Sequence, residues 1–172
     1  MARNVEIKTP VRSIDDLIGR IARIADSGPE EIDQDDTFFR CGNGRLKLRT
    51  FSDGRGELIF YKRAGGEGPR TCRYEIVPID RAGSLRSVLS LACGEAGRVR
   101  KRRSVYMVGR TRVHIDRVEG LGTFMELEVV LGEGEGEEEG VREARELMAS
   151  LGVEERDLID RPYVDLLNEK RG

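Results

Sequence analysis

The chain has 172 residues, a usual length for one domain, and its 30 Lys and Arg residues nearly balance its 32 Asp and Glu residues, giving a formal net charge of −2. This balance excludes a generally basic nucleic-acid coat protein and an acidic, disordered chain. Charged residues are 36% of the sequence, against ~25% in an average soluble protein, so where these charges lie is the main question.

Several other protein classes are disfavoured by what the sequence lacks. No stretch approaches the ~20 apolar residues that span a bilayer, and no apolar signal-peptide core follows Met1. The cysteines, Cys41, Cys72 and Cys93, are widely spaced and accompany a single histidine, which argues against a disulfide framework or a Cys/His zinc site. With neither an internal repeat nor a linker, we expect one cytoplasmic domain over residues 1–172, with no membrane partner.

The first half of the chain combines strand patterns with one amphipathic helix. Residues 3–8 alternate polar and apolar side chains, as a strand does. Ser13 and Asp16 form a capping box for a helix whose apolar stripe runs from Ile14 to Ile24. Four strands are predicted next, the first two joined by a Gly-Asn-Gly hairpin turn and the last preceded by a Gly-rich loop: 36–41, 45–51, 57–63 and 70–78.

The second half begins and ends with helical patterns around three more strands. Apolar residues at helical spacing predict a helix over 84–93 that Gly94 terminates. The three strands are predicted over 99–108, 110–118 and 123–131. We interpret the acidic run 132–140 as a solvated loop, followed by a helix that carries Val141, Ala144, Leu147, Met148 and Leu151 and by a tail that begins at Pro162.

All eight predicted strands have one charged face and one apolar face. Because the helices also need apolar partners, the simplest α+β arrangement packs them outside a closed, eight-stranded antiparallel barrel whose lumen is charged. A single strand with this pattern would ordinarily be explained by a solvated face, so the inference depends on all eight together. Alternation assigns these side chains to the lumen: Asn4, Glu6, Lys8, Arg45, Lys47, Arg49, Glu57, Tyr61, Arg63, Arg73, Glu75, Lys101, Arg103, Arg112, His114, Asp116, Glu126 and Glu128.

This set of side chains indicates a ligand that carries phosphate and a divalent ion. Basic residues outnumber acidic ones, and confined charges are costly unless they are paired or ligated. The Arg fork matches phosphate oxygens, and the two carboxylates at Glu126 and Glu128 suit Mg²⁺ or Mn²⁺. The pattern therefore favours metal-assisted handling of a polyphosphate.

The ordered motifs of the chain resemble those of the CYTH family, the triphosphate tunnel metalloenzymes. They include Asn4-Val5-Glu6-Ile7-Lys8 at the position of the family's E-x-E-x-K signature, Asp36-Thr37-Phe38-Phe39, Gly44 to Arg49, Val99 to Arg103, Arg112 to Asp116, Val118 to Glu128 and Tyr163 to Leu167. The resemblance covers essentially the whole chain and is greatest to the branch that contains class IV adenylate cyclases. It implies an eight-stranded tunnel that binds a triphosphate and divalent metal.

The resemblance also implies roles for individual residues. Mg²⁺ or Mn²⁺ would be held by Glu6, Glu126 and Glu128, with Asp116 as a further ligand. Catalysis would rest on Lys8, Lys101, Arg103 and Arg112, and further substrate contacts would come from Lys47, Arg49, Arg63, Arg73 and His114. In strand 57–63 the family usually has a lysine. Lys62 matches that position by residue type, whereas Arg63 lies on the inward face by alternation, and we favour Arg63. We interpret His114 as an orienting or structural hydrogen-bonding residue in preference to a proton-transfer group.

One departure from the family pattern is Asn4, which replaces a glutamate and removes one negative charge from the site. It leaves open whether one or two metal ions bind. The reaction also stays open between cyclisation of ATP to cyclic AMP with release of pyrophosphate and hydrolysis of a triphosphate, and a non-catalytic nucleotide- or polyphosphate-binding protein is the alternative. RNA binding by the cluster around Arg100 is disfavoured by the few aromatic residues. The substrate head group and the oligomeric state are also open, and a homodimer is compatible with the resemblance.

Overall fold

The computed structural model describes residues 1–66 and 68–172. Within these ranges the chain forms eight strands and four α-helices. The strands are β1 (Ala2–Pro10), β2 (Ser27–Phe39), β3 (Arg45–Thr50), β4 (Gly56–Arg63), β5 (Arg70–Ile79), β6 (Glu95–Val108), β7 (Thr111–Val118) and β8 (Gly122–Leu131). The helices are α1 (Ile14–Ile24), α2 (Ala82–Cys93), α3 (Glu137–Leu151) and α4 (Tyr163–Arg171), and a 3₁₀ turn (Glu155–Asp157) lies between α3 and α4.

The strands close into a barrel in the order β1-β5-β4-β3-β2-β6-β7-β8, and every neighbouring pair is antiparallel. In the described part of the chain, closure pairs both edges of every strand. Residues directly opposite each other in adjacent strands point to the same face, so the register decides which side chains meet in the lumen. The predicted fold class, a closed eight-stranded antiparallel barrel with helices outside, is confirmed.

The helices cover the apolar outer faces of the strands. The Ser13 hydroxyl accepts a hydrogen bond from the Asp16 amide at 3.4 Å and caps α1, as the capping box predicts. Leu17 on α1 packs with Val113 on β7. Helix α3 covers β1 and β8, α2 packs against β2 and β3, and α4 packs against β6. The apolar side chains therefore stabilise the barrel from outside, which leaves its lumen free for polar groups.

Three segments differ from the sequence predictions. Strand β2 begins at Ser27, whereas the prediction began at Asp36, because four of the nine residues 27–35 are acidic and Ile32 is their only large apolar residue. The end of the acidic run is helical, since α3 begins at Glu137, and three glutamates in its first turn favour the positive end of the helix dipole. The tail after Pro162 is helix α4. The predicted Gly-rich loop contains Glu67, which lies outside the described residues.

None of the helices in the described ranges is long and apolar enough to cross a membrane.

Candidate functional site

The barrel lumen encloses a cavity of about 450 Å³ that is lined by side chains of both charges. Among the described residues, seven cationic side chains line it, and six carboxylates oppose them once the buried Asp116 beneath the cavity wall is included. The cations, called here the lumen cations, are Lys8, Lys47, Arg49, Arg63, Lys101, Arg103 and Arg112. The carboxylates are Glu6, Glu30, Asp36, Asp116, Glu126 and Glu128. Because the two signs nearly balance, a ligand that brought only negative charge would have to displace existing pairs.

The register of β5 corrects one predicted site residue. Arg73 lies directly opposite Lys62 and Arg3 on the outer face and is exposed, whereas Cys72 lies opposite Arg63 and Asn4 on the lumen face. Arg73 therefore does not reach the lumen, and Glu75 shares its outward face. The charged residues of β5 lie on its outer face, so the assumption that each charged face points into the lumen gave this strand the wrong phase.

Strand β4 places Arg63 in the lumen and leaves Lys62 exposed, in agreement with the alternation prediction. Arg45, which alternation assigned to the lumen, instead reaches helix α4 and binds Asp165 at 2.6 Å. This pair lies at the end of the barrel that α4 covers. It therefore connects β3 to the helix and leaves the cavity itself to the remaining cations.

Asp116 is the centre of the most buried ion cluster in the lumen wall. Its carboxylate accepts hydrogen bonds from Lys101 Nζ at 2.6 Å, from Arg103 Nε and Nη2 at 2.6 Å each, and from the Tyr163 hydroxyl at 3.0 Å. Asp116 is fully buried. The structure thus places this predicted metal ligand beneath two cations, with its oxygens already used, and the geometry favours a positioning role for it.

A second cluster, formed by Asp36 on β2, was not among the predicted site residues. Its carboxylate binds Lys47 Nζ at 2.6 Å and Arg49 Nε at 2.8 Å. Burial alone would raise the pKa of Asp36, but Arg49 and Lys47 outweigh it and hold the pKa below the usual range. Burial lowers the pKa of Lys47 to about 8. The available signal was the motif Asp36-Thr37-Phe38-Phe39, one of those on which the family resemblance rests.

Strands β1 and β8 bring together the remaining predicted metal ligands, because Glu6 lies directly opposite Glu128 and Lys8 opposite Glu126. Glu6 binds Arg63, and burial raises the pKa of Glu6 even though Arg63 opposes the shift. Lys8 Nζ lies 3.5 Å from Glu126 Oε1 and donates to the Arg161 carbonyl at 3.0 Å. Burial lowers the pKa of Lys8 to about 8.

His114, Glu126 and Glu128 form a compact group, called here the His-Glu-Glu group. One ligand atom from each lies within 4.8 Å of the others. His114 Nδ1 is 3.9 Å from Glu126 Oε2 and 3.9 Å from Glu128 Oε1. Two carboxylates and a buried imidazole are a donor set that fits a divalent cation, and Glu6 adds a third carboxylate beside Glu128. These side chains could therefore hold the predicted metal.

The two ends of the lumen differ in character. At one end α4 inserts Tyr163, whose ring centroid lies 4.0 Å from Lys8 Nζ and 5.0 Å from Lys101 Nζ. Toward the other end of β6 the lining gains four apolar residues, Ile32, Ile76, Val105 and Met107, beside Glu30 and Arg112. Ile76 is 42% exposed, which places an open mouth at this end. The cavity therefore passes from a charged end that Tyr163 borders to a mouth with more apolar residues.

Two buried amides face the lumen without a partner. Among the residues that the structure describes, Asn4 Oδ1 and Gln34 Oε1 are buried and accept no hydrogen bond. Both residues line the cavity. Because a buried acceptor without a donor costs about 1–3 kcal/mol, these oxygens are poised to accept hydrogen bonds from a ligand.

Known proteins share this architecture. A family model described as the CYTH domain matches residues 2–163. A Methanocaldococcus jannaschii protein named "Putative adenylate cyclase" is 24% identical over 169 residues, which are 94% of this chain and 97% of that protein.

Two solved structures superpose well on this chain. A Pyrococcus horikoshii protein has a TM-score of 0.84 at 22% identity, covering 96% of this chain and 99% of its own. A Hippeastrum protein, described as a putative adenylyl cyclase with a dominant triphosphatase activity, has a TM-score of 0.67 at 17% identity, covering 99% of this chain and 96% of its own. At these identities the likeness shows a common fold.

Proposed function

The chain belongs to the CYTH domain family, and on that basis we propose that it is a divalent-metal-dependent enzyme that binds a nucleoside triphosphate in the lumen and cleaves the triphosphate. The observation that carries the proposal is the convergence of the lumen cations and the His-Glu-Glu group on one cavity. Phosphoryl transfer needs mainly positioning and charge neutralisation, and the family's chemistry requires no nucleophilic side chain.

The ion pairs of the lumen explain why a triphosphate together with a divalent ion is the fitting ligand. In the structure each cation is paired with a carboxylate, for example Arg112 with Glu128 at 2.9 Å. A metal-triphosphate complex brings both signs, so the cations can move to phosphate oxygens while the carboxylates bind the metal. Each buried charge then keeps a partner of opposite sign. An unpaired buried charge would cost several kcal/mol.

The lumen cations divide into two groups by what holds them. Lys47 and Arg49 are oriented by Asp36, and Lys101 and Arg103 by Asp116, so both pairs are positioned before a ligand arrives. Lys8, Arg63 and Arg112 are paired with the glutamates that would bind the metal, and Arg103 also contacts one of them, Glu126. We assign the triphosphate to all seven and the metal to Glu6, Glu126 and Glu128. A divalent ion there would neutralise charge on the phosphate oxygens.

The apolar mouth supports a nucleoside over inorganic triphosphate as the substrate. Ile32, Ile76, Val105 and Met107 can contact a base, and the unpartnered Gln34 Oε1 can accept a hydrogen bond from an exocyclic amine or a ribose hydroxyl. Two outcomes share this site. Cyclisation with release of pyrophosphate follows the name of the Methanocaldococcus jannaschii relative, and hydrolysis follows the triphosphatase activity described for the Hippeastrum protein.

The test is to incubate the purified protein with ATP or tripolyphosphate and Mg²⁺ or Mn²⁺, and to identify the products by chromatography. We expect metal-dependent turnover that Lys101→Ala lowers about 100-fold or more and that Glu126→Gln also lowers. Arg63→Ala should raise KM about tenfold or more, because it removes a cation that binds the triphosphate. The matched control is Lys62→Ala, at the exposed neighbouring residue, which should leave KM unchanged. Binding without turnover would instead support the non-catalytic alternative, which Asn4 favours by reducing the charge of the metal site.

A further inference from the structure

We propose that His114 is a nitrogen ligand of the divalent metal in the lumen, and that it makes the site prefer a first-row transition ion such as Mn²⁺ over Mg²⁺. The inference rests on the metal requirement in the proposed function. It goes beyond that function in assigning a ligand and a metal preference. It also replaces the predicted role of His114 as an orienting hydrogen-bonding residue.

The position of the imidazole nitrogen is the first observation. His114 is 3% exposed, and its Nδ1 has no hydrogen-bond partner in the described part of the chain. At 3.9 Å from a carboxylate oxygen of Glu126 and one of Glu128, Nδ1 is too far away to donate a hydrogen bond to either. A cation between these three atoms would satisfy all of them at once.

The two carboxylates differ in whether the oxygen that faces His114 already has a cation. Arg112 binds Glu128 through Oε2, so Glu128 Oε1 faces His114 without a cation of its own. Glu126 Oε2 accepts a hydrogen bond from Arg103 at 2.6 Å and faces His114 with the same oxygen.

The donor set explains the expected metal preference. Mg²⁺ demands near-ideal octahedral oxygen coordination, whereas transition ions accept imidazole nitrogen. Asn4, two residues before Glu6, adds no negative charge where the family signature has a glutamate, which weakens the electrostatic attraction for Mg²⁺ and Mn²⁺ alike, because both ions carry two positive charges. The nitrogen ligand is therefore what favours Mn²⁺.

The test uses pulsed electron paramagnetic resonance of Mn²⁺ bound to the full, untagged chain, with and without tripolyphosphate, because the anion is expected to draw Arg103 away from Glu126. His114 is the only histidine in the sequence, so selective ¹⁵N-histidine labelling assigns a nitrogen coupling to it without any mutation. We expect a directly coordinated nitrogen whose signal changes from ¹⁴N to ¹⁵N on labelling. His114→Asn, which offers oxygen in place of Nδ1, should lose the signal and lower the Mn²⁺ over Mg²⁺ affinity ratio at least about tenfold. Arg73→Ala, on the outer face, should change neither.

The outcomes separate this inference from the proposed function. Mn²⁺ that binds and supports turnover but shows no histidine nitrogen would overturn the inference and leave the proposed function standing. A protein that binds no Mn²⁺, with or without a triphosphate, would overturn both. If His114→Asn fails to fold, the labelling result on the unmutated chain still decides.

Discussion

Asp116 provides the most quantitative test of the charged lumen. Its carboxylate makes three contacts of 2.6 Å with Lys101 and Arg103, whose side chains are only 5% and 8% exposed. Asp116→Asn keeps the shape but leaves both cations without this charge. Breaking a buried pair costs about 3–5 kcal/mol, so we expect the free energy of unfolding to fall by that amount. At about 2–4 °C per kcal/mol for a chain of this size, Tm should fall by roughly 6–20 °C.

The same substitution on the barrel surface is the matched control. Asp35 binds Arg98 at 2.6 Å, but the two side chains are 29% and 39% exposed, so Asp35→Asn should cost about 0–1 kcal/mol. Both variants would be compared with the unmutated chain by urea unfolding. Tripolyphosphate should stabilise Asp116→Asn more than the unmutated chain, because it supplies the missing negative charge. Equal losses of stability in the two variants would refute the reasoning.

Two further predictions concern the lumen lysines and the docking of α4. Burial lowers the pKa of Lys8 and Lys47 to about 8, so both amines are charged below pH 8, and affinity for tripolyphosphate should fall as pH rises above it. Lys47→Arg keeps its positive charge above pH 8, so one fewer group loses its charge in that range. The slope of log Kd against pH, measured by calorimetry, should therefore fall by one, and an unchanged slope would contradict the prediction. A Cβ on Gly97 would lie 2.5 Å from Val164 Cγ2, so Gly97→Ala should destabilise the protein by about 1–3 kcal/mol in thermal unfolding. Gly83→Ala, with open space around it, should stabilise α2 slightly, and similar effects from both alanines would contradict the packing argument.

The sequence predicted most of the barrel because strand alternation and helix stripes are local signals. Lys101 and Arg103 were assigned to the lumen correctly, although Arg100 and Arg102 give the opposite face of their strand the same charge. In β5 the charged Arg73 and Glu75 lie on the outer face, whereas the uncharged Cys72, Tyr74 and Ile76 line the lumen, so the rule that the charged face points inward fails there. That prediction was wrong because only the pairing with β1 and β4 fixes which way the strand faces.

Other features of the site depend on contacts between distant parts of the chain. The predicted metal ligand Asp116 is surrounded by Lys101 and Arg103 on β6 and by Tyr163, which lies 47 residues further along. Residue type alone could not show that its oxygens are already bound. The inward face of β2, including Gln34, was missed because acidic residues interrupt the apolar pattern there.

The most direct test of the central claim is a crystal structure of the protein with tripolyphosphate and Mn²⁺, recorded with anomalous scattering. We predict phosphate density inside the barrel within hydrogen-bond distance of Lys101 and Arg103, and an anomalous peak beside Glu126 and Glu128. An anion bound only on the outer surface, with the lumen ion pairs unchanged at saturating ligand, would contradict the account.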